Sequence, residues 1–320
     1  MTKQTKAYIA LVFICIVWGT TYFAIRVGVA HYPAFLFAAI RQIAAGAILI
    51  PVALMANRQV DLSKQNILRQ MLMGFLMLTL GNGGVTWAEQ YVSSGVAALL
   101  CSMMPVFAVV FNLLSSKRDR FNAVIGFGML LGVFGVGLIF RHNLADLAKP
   151  GYMAGIVCVV VATAAWALGS SLNKSYGKTV NPLFNSGLQL TFGGVFLTVI
   201  SVFSDNYTGM EVWNKDGLLA LVYLIVFGSV LSYAAYMYVL NVLPVGVATI
   251  YAYVNPLIAV VAGALFLNEE LNMFIGMAFV TIVASVFLVN HGYRLQHKAD
   301  KVMKDSKMAE AFPESLPADS

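Results

Sequence analysis

One long uncharged run constrains this chain more than any other feature. Residues 217–268 pass 52 positions without an Asp, Glu, Lys or Arg, and seven further runs (7–25, 70–88, 90–116, 121–140, 150–173, 179–204 and 271–293) each reach 19 residues or more. A helix rises about 1.5 Å per residue, so a bilayer core of about 30 Å takes roughly 20 residues. Each shorter run is one span. The 52-residue run turns once, and Asn241-Val242-Leu243-Pro244 marks the turn, because proline suits the first turn of the next helix. Residues 33–56 carry one charge, Arg41, and read as one more span. The expectation is an all-α integral membrane protein of ten transmembrane helices. Only 11% of residues are charged and mean hydropathy is +0.80, far from the roughly 25% charge of soluble domains. The first run lacks a small-residue cleavage site and nine spans follow it, so it is expected to remain as helix one.

The chain also repeats itself. Ser94-Gly95-Val96-Ala97-Ala98-Leu99 with Pro105 matches Val245-Gly246-Val247-Ala248-Thr249-Ile250 with Pro256 at an offset of 151. Val17-Trp18-Gly19 pairs with Ala165-Trp166-Ala167, and Arg41–Gly46 with Gln189–Gly194, both at 148. Two halves of five spans each must cross in opposite senses, because five is odd. Pro105 and Pro256 then approach from opposite faces and both reach the bilayer centre, where each frees a carbonyl, of Cys101 and Ala252, and bends its helix. Irregular backbone at that depth belongs beside protein or a water-filled cavity, so the pair is read as a kink or hinge flanking a central site.

Charge sets the expected orientation. With the amino terminus inside, fifteen of the twenty Lys and Arg residues fall on the cytoplasmic side and four on the other, with Arg41 inside a helix. That bias fits the positive-inside rule, places both termini in the cytoplasm of a bacterial-type inner membrane, and accounts for the net charge of +6 without a nucleic-acid partner. Residues 292–320 lose apolar periodicity and are expected to form a disordered cytoplasmic tail. Its Lys298, Lys301, Lys304 and Lys307 leave two readings open, contact with anionic membrane lipid or topology alone. Cys15, Cys101 and Cys158 sit in apolar helices without metal-ligand spacing, so neither a metal nor another cofactor is expected.

On Trp18-Gly19, Arg41, Tyr91–Leu100 with Pro105, Gly246–Pro256, and Phe266–Asn272 with Gly276, the chain resembles the EamA domain of the drug/metabolite transporter superfamily, present twice, at 7–140 and 151–291. The resemblance implies two inverted five-helix repeats and a permease, and relatives that export amino acids, nucleobase-like compounds or drugs make efflux the expected direction. The glutamate that such repeats tend to carry between their last two helices is Glu269 in the second half, whereas Arg118 stands in its place in the first.

Several residues are candidates for the solute path. Thr79, Asn82, Thr86 and Glu89 share one face of helix three, and Ser229, Ser232, Tyr233 and Tyr236 answer on helix eight, with Asn82 equivalent to Tyr233. Such a stripe faces inward, either lining a cavity or bridging helices at about 0.6 kcal/mol per hydrogen bond. Arg41 lies too deep to stand without a partner; it is either a structural cation that snorkels, or a ligand for a solute carboxylate, with Glu89 the acid nearest in depth. Glu89 is also the one candidate coupling acid, or else a surface acid in the aromatic belt of Trp87 and Tyr91. Trp18, Trp166, Tyr251 and Tyr253, with Asn255 beside Pro256, add an aromatic wall suited to organic solutes or to packing. Gly128, Gly132 and Gly135 form a small face for close helix approach.

No HExxH, Walker loop, paired membrane aspartates or serine with a base is present, which argues against an enzyme. A channel tends to be built by oligomeric symmetry around a pore, which argues for a carrier.

Overall fold

The computed structural model describes residues 1–56, 59–104, 106–107, 110–111, 122–142, 149–176, 180–243, 251–267 and 273–311. Among these the chain is helical and contains no strand. The first half contributes α1 (Lys3–Val29), α2 (Ala34–Ala56), α3 (Lys64–Ala88), α4 (Ser94–Cys101) and α5 (Ala123–His142). The second contributes α6 (Tyr152–Ser175), α7 (Pro182–Ser204), α8 (the consecutive segments Lys215–Tyr223, Leu224–Leu231 and Ser232–Val242), α9 (Tyr251–Leu267) and α10 (Met273–Ala311). Six of the ten are long and apolar enough to span a bilayer over described residues, and shorter apolar stretches lie in α5, α9 and α10.

The packing has twofold character. α2 lies along α7 and α5 along α10, while α1 packs on α8 and α9 as α6 packs on α3 and α4. The two halves are also inverted. Tyr32, between α1 and α2, donates to the Val212 and Asn214 carbonyls between α7 and α8, and at the other face Asn66, at the start of α3, donates to Asn185 at the start of α7. Corresponding loops of the two halves thus lie on opposite faces, as an odd number of spans per half requires.

Local sequence fixes the helix ends. Ser63, Ser93, Asn181 and Asn214 each accept a backbone N–H in the first turn of α3, α4, α7 and α8. The Asp61 carboxyl, held below its usual range by the backbone N–H and hydroxyl of Ser63, steadies the turn before α3. Asp205, just past α7, caps a different helix. Its carboxylate accepts from Leu36 N (2.8 Å) and Phe35 N (3.4 Å) at the start of α2 and from the Ser201 hydroxyl (2.7 Å). A carboxylate there satisfies orphan donors and opposes the helix dipole. Asp205→Ala is expected to cost about 1–2 kcal/mol, read as a lower melting temperature of the purified protein, with Asp205→Asn losing less; equal melting of Asp205→Ala and wild type refutes the cap.

Apolar side chains also cover the outside, as lipid requires: Phe127, Leu130, Val133 and Phe134 on α5 and Val280 and Phe287 on α10 are all exposed. Between those helices the small face anticipated on α5 is used as expected, with Gly128 packed on Val289 and its carbonyl taking the Ser285 hydroxyl at 2.6 Å.

Two features depart from the sequence expectations. α10 continues to Ala311, through residues read above as a disordered tail. From Tyr293 to Phe312 the sequence holds no glycine or proline and is rich in Lys and Ala, so once the last span is helical, propagation through strong helix formers is favourable. The second departure is the backbone of α3 and α8. Both open into π-helical turns in mid-membrane, at Gly74–Gly83 and Leu224–Leu231, starting 150 residues apart and therefore at matching places in the two halves. The Ser232 hydroxyl stabilises its wide turn by bonding five residues back, to the Phe227 carbonyl at 2.6 Å, while Thr79 Oγ1, 3.5 Å from the Gly74 carbonyl, donates over the shorter 3.1 Å to the Gly193 carbonyl of α7. Such turns shift the register of everything that follows on the helix and concentrate at functional sites. Pro105 lies outside the described residues, whereas Pro256 is buried within α9.

Candidate functional site: a central cavity around Arg41

The π-helical turns face one cavity of about 140 Å³ at the centre of the bundle. Its wall is assembled from α1, α2, α3, α4, α6, α8 and α9 and includes Asn82 of one wide turn and Gly228 and Ser229 of the other. Described residues of α5, α7 and α10 contribute nothing to it. The volume is close to that of an engineered apolar cavity of about 150 Å³ that holds benzene, so a single ring with a short substituent fits.

Arg41 is the cation in that wall. It is buried, and its Nε donates to Ser229 Oγ on α8 at 3.1 Å while NH1 reaches Asn82 Oδ1 on α3 at 3.5 Å. One guanidinium thereby touches both wide turns, one from each half. Gln42, the next residue, donates from Nε2 to the same Asn82 oxygen at 2.7 Å. Glu89, expected above to be the partner of Arg41, stands within its electrostatic reach, but the hydrogen bonds of Arg41 among the described residues go to Ser229 and Asn82. The physical reason is the π-helical turn, which swings Asn82 toward α2 and leaves Glu89 at the end of α3, fully buried, where its backbone carbonyl receives Arg26.

Aromatic rings form the rest of the wall. Trp18 Nε1 donates to the Gly228 carbonyl at 3.2 Å, and its ring stands edge to face with Tyr251 at 4.9 Å and with Tyr233 at 6.5 Å. The Gly228 carbonyl lies in a π-helical stretch, so the indole satisfies an acceptor there and locks its own orientation. Trp166 of α6, the repeat-mate of Trp18, lines the opposite side, against Gly81.

The other candidates fall into place around this wall. Asn82, Tyr233, Asn255 and Pro256 line the cavity. Asn255, oriented so that its amide nitrogen donates, ties α9 to α1 through the Cys15 carbonyl at 3.1 Å and also meets the Tyr251 carbonyl at 2.9 Å. Thr86 and Ser232 do not line it; each hydroxyl turns back onto its own helix, to the carbonyls of Asn82 (2.8 Å) and Phe227 (2.6 Å). Tyr236 sits behind the wall, its ring 5.3 Å from Trp18 and 5.9 Å from Tyr251. The side chain of Tyr253 lies outside the described residues, as do Pro105, Arg118 and Glu269.

Several lining residues escaped the sequence: Gln42, Tyr22, Thr21, Ser102 and Thr163. Gln42 adjoins Arg41 and was legible as the second polar residue in an apolar helix. Thr21, Ser102 and Thr163 bond back to Trp18, Leu99 and Val159 carbonyls and leave no distinct polar pattern. Cys101 faces the cavity as well.

Gln189, the repeat-mate of Arg41, plays a different part. It donates to Gln70 Oε1 at 2.7 Å, Gln70 to Asn66 Oδ1 at 2.8 Å, and Asn66 to Asn185 at 3.1 Å, a buried amide ladder joining α3 to α7 outside the cavity wall. The repeat therefore supplies symmetric helices and an asymmetric site, with one cation among its described residues.

Comparison with known proteins accords with this architecture. The model of the EamA-like transporter family matches the chain twice, at residues 5–141 and 153–291. The uncharacterized inner membrane transporter YedA of Escherichia coli K12 is 32% identical over 284 residues, covering 88% of this chain and 90% of the relative. The uncharacterized transporter YvbV of Bacillus subtilis is 27% identical over 296 residues, covering 92% and 95%. A solved crystal structure superposes with a TM-score of 0.63 at 15% identity, over 90% of this chain and 98% of the other, which shows a shared fold. Two inverted helical halves meeting at a central cavity, and a family model that matches each half, lead to one conclusion: this integral membrane protein belongs to the EamA-like transporter family.

Proposed function

We propose that the protein is a secondary carrier that exports a small organic solute across a cytoplasmic membrane by alternating access, with both termini in the cytoplasm. One observation carries this reading: Arg41 joins the matched π-helical turns of the two halves on the wall of a solute-sized cavity. Wide turns have few tightly packed i→i+4 constraints and are the natural places for α3 and α8 to bend, so the cavity sits between the two parts that would rock against each other. The transporter family favours a carrier over an intramembrane enzyme, and the bias of basic residues supports the orientation.

The test is counterflow in proteoliposomes. A carrier preloaded with unlabelled solute accumulates labelled solute transiently against its gradient and saturates. Linear, non-exchanging flux sinks the carrier and leaves a channel, while turnover of a lipid points to the enzyme. Cys101 on the wall gives a second readout, since thiol labelling from each side should alternate with the conformation.

Glu89 is proposed as the coupling acid. It is fully buried, within electrostatic reach of Arg41, on the helix that carries Asn82. Glu89→Gln is expected to abolish uptake driven by a pH gradient across the liposome while counterflow, which needs no driving ion, continues. An unchanged pH dependence in the variant removes Glu89 from the proton path.

A further inference from the structure

We infer that the cavity selects planar aromatic carboxylates, binding the carboxylate between the guanidinium of Arg41 and the hydroxyl of Tyr233. The inference rests on the transport reading for how the solute reaches the site, and on the wall itself for its chemistry. Three observations carry it.

The first is charge. Arg41 is the one charged residue on the described wall, and its hydrogen bonds use Nε and NH1 on the neutral oxygens of Ser229 and Asn82. Its NH2 lies beside Gly228, where an added side-chain carbon would meet it at 3.4 Å and the Thr21 methyl at 3.1 Å, so any larger residue there would cover this nitrogen. A guanidinium holds a carboxylate through two parallel N–H donors, and a low-dielectric site strengthens that pairing. No Asp or Glu lines the described wall to receive an ammonium or amidinium.

The second is unmet hydrogen bonding. Tyr233 Oη and Gln42 Oε1 are buried on the wall and have no hydrogen-bond partner among the described residues. A buried polar atom left so carries its full desolvation cost, which a solute removes when it supplies the missing partner. Tyr233 Oη can donate to the second carboxylate oxygen, and Gln42 Oε1 can accept from a ring N–H or hydroxyl on the same solute. The third is shape. Trp18, Trp166, Tyr22 and Tyr251 surround a volume of about 140 Å³, enough for one ring, and aromatic walls prefer ring edges and faces to branched chains.

Benzoate, benzamide and benzamidine share size and planarity and differ in charge, so they isolate the first observation. Binding is read by tryptophan quenching and thermal shift on the purified full-length protein. Benzoate is expected to bind saturably, and roughly tenfold or more tighter than either isostere, as expected for a charge-assisted pair. Arg41→Gln should remove the preference for benzoate. Tyr233→Phe, a milder change with no charge, should weaken benzoate about ten- to a hundredfold, as loss of one hydrogen bond to a charged group implies, and it keeps the test decisive should Arg41→Gln fold poorly. Benzamidine or benzamide binding as well as benzoate, or benzoate showing no saturable binding, overturns the inference. Counterflow of labelled benzoate against protein-free liposomes separates the two claims: charge-selective binding without counterflow preserves the site and refutes the carrier, whereas saturable counterflow of benzamidine but not benzoate preserves the carrier and refutes the site.

Discussion

Arg41→Ala is expected to reduce solute counterflow by about a hundredfold or more, the loss typical of truncating a buried hydrogen-bonded charge that a partner group depends on. The same substitution should leave the melting temperature unchanged or raise it. Holding a cation at this depth costs several kcal/mol, and here two neutral acceptors offset only part of that cost. A residue that stabilises function at the expense of the fold shows these opposite signs, whereas a structural cation would lose both together. Arg41→Lys sharpens the result. Lysine keeps the charge but lacks the planar fork, so Ser229 and Asn82 cannot both be engaged along with a solute, and activity should fall between wild type and Arg41→Ala. Near-wild-type counterflow in Arg41→Ala would remove the residue from the solute path. A large drop in melting temperature would return it to the structural role that its position in α2 also allowed.

The architecture was legible because lipid enforces it. Uncharged runs of 19 residues or more have one stable outcome, and two sets of five invert by parity alone. Part of the cavity wall was legible for the same reason: Asn82, Tyr233 and Arg41 are residues that lipid rejects, so they point inward. What the sequence hid is finer than a helical period. The π-helical turns of α3 and α8 have no composition that separates them from ordinary transmembrane helix, yet each moves the residues beyond it by about 100° around the axis. That shift sends Asn82 to Arg41, while the Thr86 and Ser232 hydroxyls bond back onto their own helices although both were placed on the polar stripes. Symmetry also has a limit. Gln189 occupies the place of Arg41 in the second half, and being neutral it is satisfied by Gln70 with no need of a cavity. Matched positions predict matched helices, and only the side chain decides what each position does.

The seam that holds one of those wide turns in place gives the second large effect. At Gly74, where the π-helical stretch of α3 begins, a side-chain carbon would sit 2.6 Å from the Gln189 carbonyl and 3.1 Å from the Gly193 amide of α7. From the other side, a carbon on Gly193 would meet Leu78 Cβ at 2.4 Å and the Gly74 carbonyl at 3.0 Å. These obstacles are backbone and Cβ atoms, which cannot swing aside as a side-chain tip does. The Thr79 hydroxyl reaches the Gly193 carbonyl at 3.1 Å only because the helices approach this closely. Gly74→Val is therefore expected to cost about 3 kcal/mol or more, read as a melting temperature lower by roughly 5 °C or as failure to accumulate in the membrane. Gly137→Val on α5 is the matched control, because nothing lies within 4 Å of a carbon added there. The Gln70–Gln189 bond lies one turn away and should weaken with the same separation, so Gln189→Leu combined with Gly74→Val should cost less than the two changes summed. Gly74→Val melting level with Gly137→Val would show that α3 and α7 do not meet at this glycine, and with that contact gone the placement of Asn82 against Arg41 would have to be redrawn.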